Sequence, residues 1–214
     1  MSKVAVGPRQ RRKEARPGEI LEAAFEEFAL KGFAGTRVDD VALRAGITKG
    51  TVYLYFPSKE DLFVATFKEM VQPTLDLLAS LATNPKGPAM EILRAYFRFV
   101  YDALVHDRRG RELLRLLLAD GTRFPELAVR WHDEVIGPVN ARLAAVLAYG
   151  VERGEFRPVA ASEFPNLMMA AAVSASIWRT QFGDAYPMDM AAYFDAHLDM
   201  LERTLVVGRA GEGR

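Results

Sequence analysis

The stretch AGITKGTVYLYFPSKEDLF, residues 45–63, concentrates side chains that can donate hydrogen bonds to an anion. The short helix within it carries an ammonium group and three hydroxyls, those of Lys49, Thr51, Tyr53 and Tyr55. Such groups bind phosphate oxygens, and hydroxyls also reach the edges of bases. Gly50 has no side chain, so the backbone beside it can approach another surface closely. The combination is typical of contact with a polyanion.

The sequence lacks the motifs that commonly mark an enzyme active site. There is no cysteine, no phosphate-cradling P-loop and no GxSxG motif. The histidines His106, His132 and His197 lie far apart and lack metal-ligand spacing. We therefore expect no metal, no cofactor and no enzymatic activity, although two carboxylates brought together in space stay open as an alternative.

The charge of the chain is uneven although its net charge is zero. The first 16 residues hold six Lys and Arg against Glu14 alone. This predicts a flexible basic arm, residues 1–16, that contacts a polyanion, and a merely solvated tail is the open alternative. No apolar run is long enough for a transmembrane helix, and the N-terminus has no signal-peptide pattern, so we expect a cytoplasmic protein.

Apolar residues recur at helical spacing along the chain, and no segment alternates with period two for long enough to indicate a strand. We therefore predict an all-α protein of about nine helices. The first begins near Pro17 and ends at Gly32, and the fourth runs to about Leu81. Later helices are predicted at 89–106, 109–120, 125–153, 161–183 and 189–206. Pro138 should kink the segment 125–153.

Capping signals divide the N-terminal part into short helices. Thr36 with Asp39 forms a capping-box pattern at the start of a second helix, which Gly46 ends. Thr48 is the predicted N-cap of a third helix, which Pro57 ends. The sequence SKED, directly after that proline, is a further capping box and starts the fourth helix.

A helix, a three-residue turn at Gly46 and a second short helix form a helix-turn-helix pattern, whose second helix enters the major groove of DNA. Ile47, Val52 and Phe56 are predicted to face the core. The donors named above and Gly50 then face outward. Lys59, in the first turn of the fourth helix, can hold a phosphate together with the helix amides.

The sequence GFAGTRVDDVALRAGITKGTVYLYFPSKEDLF resembles the N-terminal domain of the TetR family of bacterial transcriptional regulators. The resemblance covers about residues 17–64. It implies a homodimer that binds a palindromic operator. The positions it assigns to DNA contact are Thr36, Arg37, Thr48, Lys49, Gly50, Thr51, Tyr53, Tyr55 and Lys59. Leu54 is left out of that set. Within the arm, Arg9, Arg11, Arg12 and Lys13 could follow the backbone or enter the minor groove.

Residues 65–214 are expected to form a helical domain for effector binding and dimerisation, joined rigidly to residues 17–64 inside the fourth helix. The resemblance implies dimerisation through the last two helices. One is rich in small residues, with Ala171, Ala172, Ala175 and either Ser174 or Ser176 at helical spacing, and the other carries the apolar stripe Phe194, Leu198, Leu201 and Leu205. The alternative is that both stripes belong to the core of one subunit.

Effector contacts are predicted only as candidates, since ligand cavities are mainly apolar with a few polar groups. The candidates are Phe97, Tyr101, Trp131, His132, Met168, Met169 and Trp178. Arg130 and Arg179 could favour an anionic ligand, or form ordinary salt bridges. The alternative, which the sequence favours for most of the candidates, is an ordinary core or interface position.

The sequence thus predicts a DNA-binding regulator, a homodimeric repressor that an unknown small molecule releases from DNA. Two alternatives stay open. The first is a DNA-binding protein without an effector, controlled by a protein partner or acting architecturally. The second is an all-α small-molecule-binding protein or enzyme.

Overall fold

The computed structural model describes residues 8–83, 87–158 and 163–207. These residues form ten α-helices and two short π-helical segments. In chain order they are α1 (Pro8–Gly35), α2 (Val38–Arg44), α3 (Lys49–Tyr55), α4 (Lys59–Thr83), α5 (Ala89–Tyr101), π1 (Asp102–His106), α6 (Arg108–Asp120), α7 (Pro125–Trp131), π2 (His132–Ile136), α8 (Gly137–Glu152), α9 (Pro165–Phe182) and α10 (Met190–Leu205). One isolated antiparallel bridge joins Phe156 to Val206, and the described part of the chain has no strand. The predicted all-α class is confirmed.

Helix α1 begins at Pro8, earlier than the predicted start, and Pro17 lies inside it. Arg, Lys, Glu and Ala between the two prolines are good helix formers, which favours the extension. The regular helix ends at Gly32, whose φ of 70° is left-handed. The first seven residues of the predicted arm, and the side chains of its basic residues Arg9, Arg11, Arg12 and Lys13, lie outside the described set.

The chain divides into two compact units. The first contains the described residues up to Met70 together with Leu116–Trp131, and the second contains Val71–Arg115 and the residues from His132 onward. The polypeptide therefore passes between the units inside α4, inside α6 and after α7. The last turns of α6 and all of α7 were not expected in the N-terminal unit.

Aromatic rings fill the centre of the first unit. Phe28, Phe33 and Phe63 are each at most 2% exposed. The Phe63 ring centroid lies 4.9 Å from that of Phe28 and 5.1 Å from that of Phe33, both in edge-on contact. Phe124 packs edge-on against Phe33 at 4.9 Å, which ties the start of α7 to the turn after α1. Edge-to-face packing of this kind adds stability beyond the burial of apolar area.

The second unit has a core built from α5, α8, α9 and α10. Its centre includes Leu93, Leu143, Ala172 and Leu198, which are at most 1% exposed. The predicted helix 125–153 is interrupted here by π2, and Pro138 lies in the first turn of α8. Because proline has no amide hydrogen, the regular hydrogen bond to the preceding turn is missing at this point.

Candidate nucleic-acid interface

Helix α3 is fixed by local features that the sequence predicted. Gly46 adopts a φ of 65° in the turn after α2. Thr48 is the N-cap of α3, and its hydroxyl accepts a hydrogen bond from the Thr51 amide at 3.2 Å. Val52 is completely buried, whereas Ile47 and Phe56 are only partly buried. The helix therefore rests on the core mainly through one valine and leaves most of its surface outside.

The capping box at the start of α4 is also confirmed. The Asp61 amide donates to the Ser58 hydroxyl at 3.0 Å, and that hydroxyl donates to the Asp61 carboxylate at 2.6 Å. Arg130 of α7 adds an ion pair with Asp61 at 3.0 Å. The Ser58 hydrogen bond and then Arg130 lower the pKa of the Asp61 carboxyl. The start of α4 is thus held by its cap and by an ion pair with α7.

Most of the predicted DNA-contact residues lie on the outer surface of α3 and at the start of α2. Arg37, Thr48, Lys49, Gly50 and Tyr53 are exposed. Thr51 and Tyr55 are partly buried and flank the exposed set. Within the described part of the chain, the Arg37 side chain forms no ion pair. The structure therefore brings these seven positions onto neighbouring surfaces of two adjoining helices.

Lys49 sits in an exposed ion pair at the front of α3. Its ammonium group donates to the Asp39 carboxylate of α2 at 2.7 Å and lies 6.0 Å from the centre of the Tyr53 ring. The hydrogen bond to Asp39 raises the pKa of Lys49, so the side chain stays charged. An exposed pair of this kind contributes little stability, and a phosphate oxygen can replace the carboxylate.

Two of the predicted contact residues, Thr36 and Lys59, form side-chain hydrogen bonds within the protein. Thr36 is 2% exposed, and its one hydroxyl hydrogen is shared between the carbonyls of Glu27 and Gly32, which lie 3.0 Å and 2.7 Å from the hydroxyl oxygen. The N-cap of α2 is Arg37, which makes no side-chain capping bond, so the predicted Thr36 capping box is wrong. The hydroxyl instead satisfies carbonyls at the end of α1.

Lys59 also binds the turn between α1 and α2. Its ammonium group donates to the carbonyls of Phe33 at 2.8 Å and Thr36 at 3.2 Å, and it lies 4.4 Å from the centre of the Phe33 ring. These bonds occupy most of its donors, so its main role in the structure is to hold the turn between α1 and α2.

Asp120 completes this turn, and sequence reasoning did not identify it. The side chain is buried, and its carboxylate accepts a hydrogen bond from the Phe33 amide at 2.9 Å. Asp120 is the last residue of α6, 87 positions from Phe33. No local pattern marks such a pairing. The turn before α2 is therefore held by Thr36, Lys59 and the Asp120 carboxylate at the end of α6.

In the second unit, α9 and α10 expose an apolar surface. On α9 the exposed positions 167, 170, 174, 177 and 181 follow a three- and four-residue spacing and include Leu167 at 59% and Ile177 at 37% exposure. On α10, Met200 is 66% exposed. We call the exposed residues Leu167, Ala170, Ser174, Ile177, Ala192, Ala196 and Met200 the α9–α10 face.

The apolar stripe predicted on the last helix is not part of that face. Leu198, Leu201 and Leu205 are at most 7% exposed and belong to the core, and Phe194 packs against the same core. Ala172, Ala175 and Ser176 of α9 are buried there too. The intramolecular alternative is therefore the correct one for these residues, because α10 lays this side of the helix against α5.

The effector candidates are divided between the two units and differ in their exposure. Phe97, Tyr101 and Met168 are at most 3% exposed in the core of the second unit. His132 is exposed and pairs with Asp133 at 2.9 Å. The Trp178 ring is partly exposed, and its indole N–H donates to the Tyr186 carbonyl at 3.0 Å.

Trp131 belongs to the first unit, where its ring packs edge-on against Phe67 at 4.2 Å. Its indole N–H is buried and has no hydrogen-bond partner among the described residues. Arg130 pairs with Asp61, and Arg179 lies 2.9 Å from His106 Nδ1, so both arginines have local partners. Met169 accepts a hydrogen bond from the Tyr96 hydroxyl through sulfur at 3.2 Å.

A buried polar pair, Tyr101 and His197, lies in the second unit beside Phe97 and Met168. The Tyr101 hydroxyl lies 3.2 Å from Nδ1 of His197, whose ring also hydrogen-bonds the backbone of Met168. Burial lowers the pKa of His197 and raises that of Tyr101, so both side chains are neutral near pH 7. Phe97 packs edge-on against the imidazole at 4.9 Å.

An open cleft of about 470 Å³ at the surface is lined in part by Tyr101. Its polar lining comes from Arg98, Asp102, His106 and Asp195, and Phe194 contributes an aromatic ring. The described residues contain no cluster of three or more His, Asp or Glu arranged to hold a metal ion. None of their helices is long and apolar enough to cross a membrane.

Comparison with known proteins identifies the class that this geometry defines. The family model for bacterial regulatory proteins of the tetR family matches residues 20–66, and the model for the tetracyclin repressor-like C-terminal domain matches residues 85–199. The HTH-type transcriptional regulator RutR of Escherichia coli strain K12 is 40% identical over 156 residues, which cover 72% of this chain and 70% of RutR. The chain belongs to the TetR family and is a helix-turn-helix transcriptional regulator.

Solved structures share the fold. The fatty acid degradation regulator FadR from Bacillus halodurans superimposes with a TM-score of 0.72 at 21% identity, covering 99% of this chain and 100% of that one. FadR from Bacillus subtilis in complex with stearoyl-CoA gives a TM-score of 0.69 at 22% identity, covering 86% and 96%. Identities this low establish the shared fold alone.

Proposed function

We propose that the protein is a homodimeric repressor that binds a palindromic operator through α3 and leaves it when a small molecule binds the second unit. The observation that carries the proposal is the recognition helix, which rests on Val52 and turns hydroxyls, an ammonium group and a glycine outward. The contact set we propose is Arg37, Thr48, Lys49, Gly50, Thr51, Tyr53 and Tyr55. Thr36 and Lys59 hold the preceding turn through the side-chain bonds described above.

The α9–α10 face supports dimerisation. Leu167, Ile177 and Met200 are large apolar side chains that a monomer leaves exposed, and small residues between them allow close helix approach. Two copies packed through this face would form a four-helix interface with two-fold symmetry. A symmetric dimer presents two recognition helices, which fit half-sites about 34–36 Å apart in successive major grooves.

The route from effector to DNA runs along α6 in this proposal. The chain passes from the second unit into the first within α6, and the last residue of that helix holds the Phe33 amide. A shift of the final turn of α6 would move the turn that precedes α2. By linkage, effector and operator must then weaken each other reciprocally.

Selection of duplexes from a random DNA pool tests the operator part. The purified protein at physiological salt should enrich a palindrome, because non-specific phosphate binding is weak there. The control is the double variant Thr51→Ala, Tyr53→Ala, which keeps Val52 and the Thr48 cap and should enrich nothing. If wild type and variant enrich the same sequences, α3 is not the reading element.

The effector part is tested on the selected operator. Stearoyl-CoA is the first probe, since a structure with the same fold contains it. Release of the operator at micromolar probe, with the operator weakening the probe equally, would support the repressor mechanism. Tighter operator binding in the presence of the probe would make the protein a corepressor-dependent system. A broader metabolite screen that changes no affinity would favour control by a protein partner.

A further inference from the structure

Leu54 lies on the recognition helix and is 79% exposed. An exposed leucine is common on protein surfaces and has no meaning by itself. Here its position matters, because its neighbours on the outward side of α3 are all polar residues or glycine. The sequence pattern gave no reason to include it among the contact residues.

The helix geometry places Leu54 at the centre of the outward side. With about 100° of rotation per residue, Leu54 lies roughly 200° and Gly50 roughly 160° from the buried Val52. Together they bracket the line that points directly away from the core. Tyr53 and Thr51 lie about 100° from Val52 on opposite sides of the helix. Both are less exposed than Leu54, since Tyr53 is 41% exposed and Thr51 is partly buried. If α3 enters the groove, the flanking residues face its phosphate walls and Leu54 faces its floor.

We propose that Leu54 is a specificity-determining residue that reads the 5-methyl group of thymine in the major groove. Thymine is the base that presents an apolar group on that edge, so an apolar side chain at the groove floor can distinguish it. Gly50, one turn earlier on the same side, allows the backbone to come close enough for the leucine to reach the base. This inference rests on the proposed operator binding by α3.

Deoxyuridine substitution gives a direct test, because deoxyuridine differs from thymidine only in lacking the methyl group. Each thymine of one half-site of the selected operator is replaced in turn, and the Kd is measured for each duplex. We expect about fourfold weaker binding at one thymine per half-site, the effect of exposing one methyl group. In Leu54→Ala that same replacement should have no effect, and in Leu54→Met it should remain.

Leu43→Ala is the matched control. Leu43 is 82% exposed in the same unit but lies on α2, so the variant should keep both the affinity and the deoxyuridine profile of the wild type. Because Leu54 is exposed, Leu54→Ala should unfold at the wild-type temperature, which a thermal melt by circular dichroism verifies.

The outcomes separate the two proposals. Loss of the thymine sensitivity only in Leu54→Ala supports methyl reading. A wild-type profile in Leu54→Ala, or a wild-type protein that tolerates deoxyuridine everywhere, overturns it while leaving operator binding intact. Failure to select any palindrome overturns the proposed function itself.

Discussion

The two units differ in the chemistry of the surfaces they expose and in the polar groups that they place beside their apolar cores. The first unit turns hydroxyls and charges outward on α3, and it uses charged groups such as Asp120 and Lys59 to hold its inner turn. The second unit turns leucine, isoleucine and methionine outward on α9 and α10, and its core contains a neutral Tyr101–His197 pair. The outward chemistry of the first suits a polyanion, and that of the second suits another copy of the same apolar surface.

The largest effect should come from disrupting the apolar α9–α10 face of the second unit. Leu167→Glu places a charge in the α9–α10 face, where desolvation of the carboxylate opposes association. We expect a monomer in sedimentation velocity and a loss of operator affinity of about 100-fold or more, because bivalent binding is lost.

Leu118→Glu is the control for this prediction. Leu118 is 56% exposed on α6, close to the 59% of Leu167, so the same charge is introduced at similar exposure outside the α9–α10 face. The control should stay dimeric. A dimeric Leu167→Glu protein would place the subunit interface elsewhere.

The buried carboxylate of the first unit is tested by Asp120→Ala. The variant leaves the buried Phe33 amide without its acceptor, which should lower the free energy of unfolding by about 1–3 kcal/mol. Urea denaturation measures the loss. Asp133→Ala, at an exposed carboxylate of π2, should change stability little. Equal stability of the two variants would show that the Asp120 bond contributes nothing to the turn.

The neutral interior of the second unit predicts a pH dependence. Burial holds the folded-state pKa of His197 below its ordinary value of 6.5, so the unfolded chain binds its proton first as pH falls. Stability from this group is present above about pH 6.5 and is lost as pH falls toward the folded-state pKa. A single proton gives a slope of at most about 1.4 kcal/mol per pH unit.

Urea denaturation between pH 7.5 and 5 measures this slope, and His197→Gln should flatten it. The carboxyls of Glu27, Asp40, Asp61 and Glu155 have lowered pKa values, so their contribution is present above about pH 4.5 and is lost only below it. An unchanged slope in the variant would assign the pH dependence to another group.

The smallest effect concerns the polar outer surface. Lys49→Gln removes one proposed phosphate contact, so affinity should fall similarly for all DNA sequences, and the slope of log K against log salt should decrease by about 0.9. Lys31→Gln is the control, since Lys31 pairs with Glu27 and Asp40 in the same unit, away from α3. Equal slopes for the two variants would remove Lys49 from the contact set.

Local sequence determined much of the first unit. The left-handed turn at Gly46, the Thr48 cap and the SKED capping box act over three or four residues, where backbone geometry and short side chains decide the outcome. The family resemblance extended this to the outward positions of α3. Local sequence patterns failed at Thr36. Its hydroxyl was predicted to cap α2 but bonds carbonyls of α1 instead.

Tertiary structure decided what distant residues meet. Asp120 reaches Phe33 across 87 positions, and no periodicity in the sequence encodes that bond. The same holds for α10, whose leucines read as an apolar stripe in the sequence but could face either a partner or the core. Periodicity shows that a helix has an apolar side, whereas only packing determines what covers it. The sequence therefore predicted the all-α class and the short helix α3, both of which the structure contains. The tertiary structure assigned Leu198, Leu201 and Leu205 to the core and Leu167, Ile177 and Met200 to the outer surface.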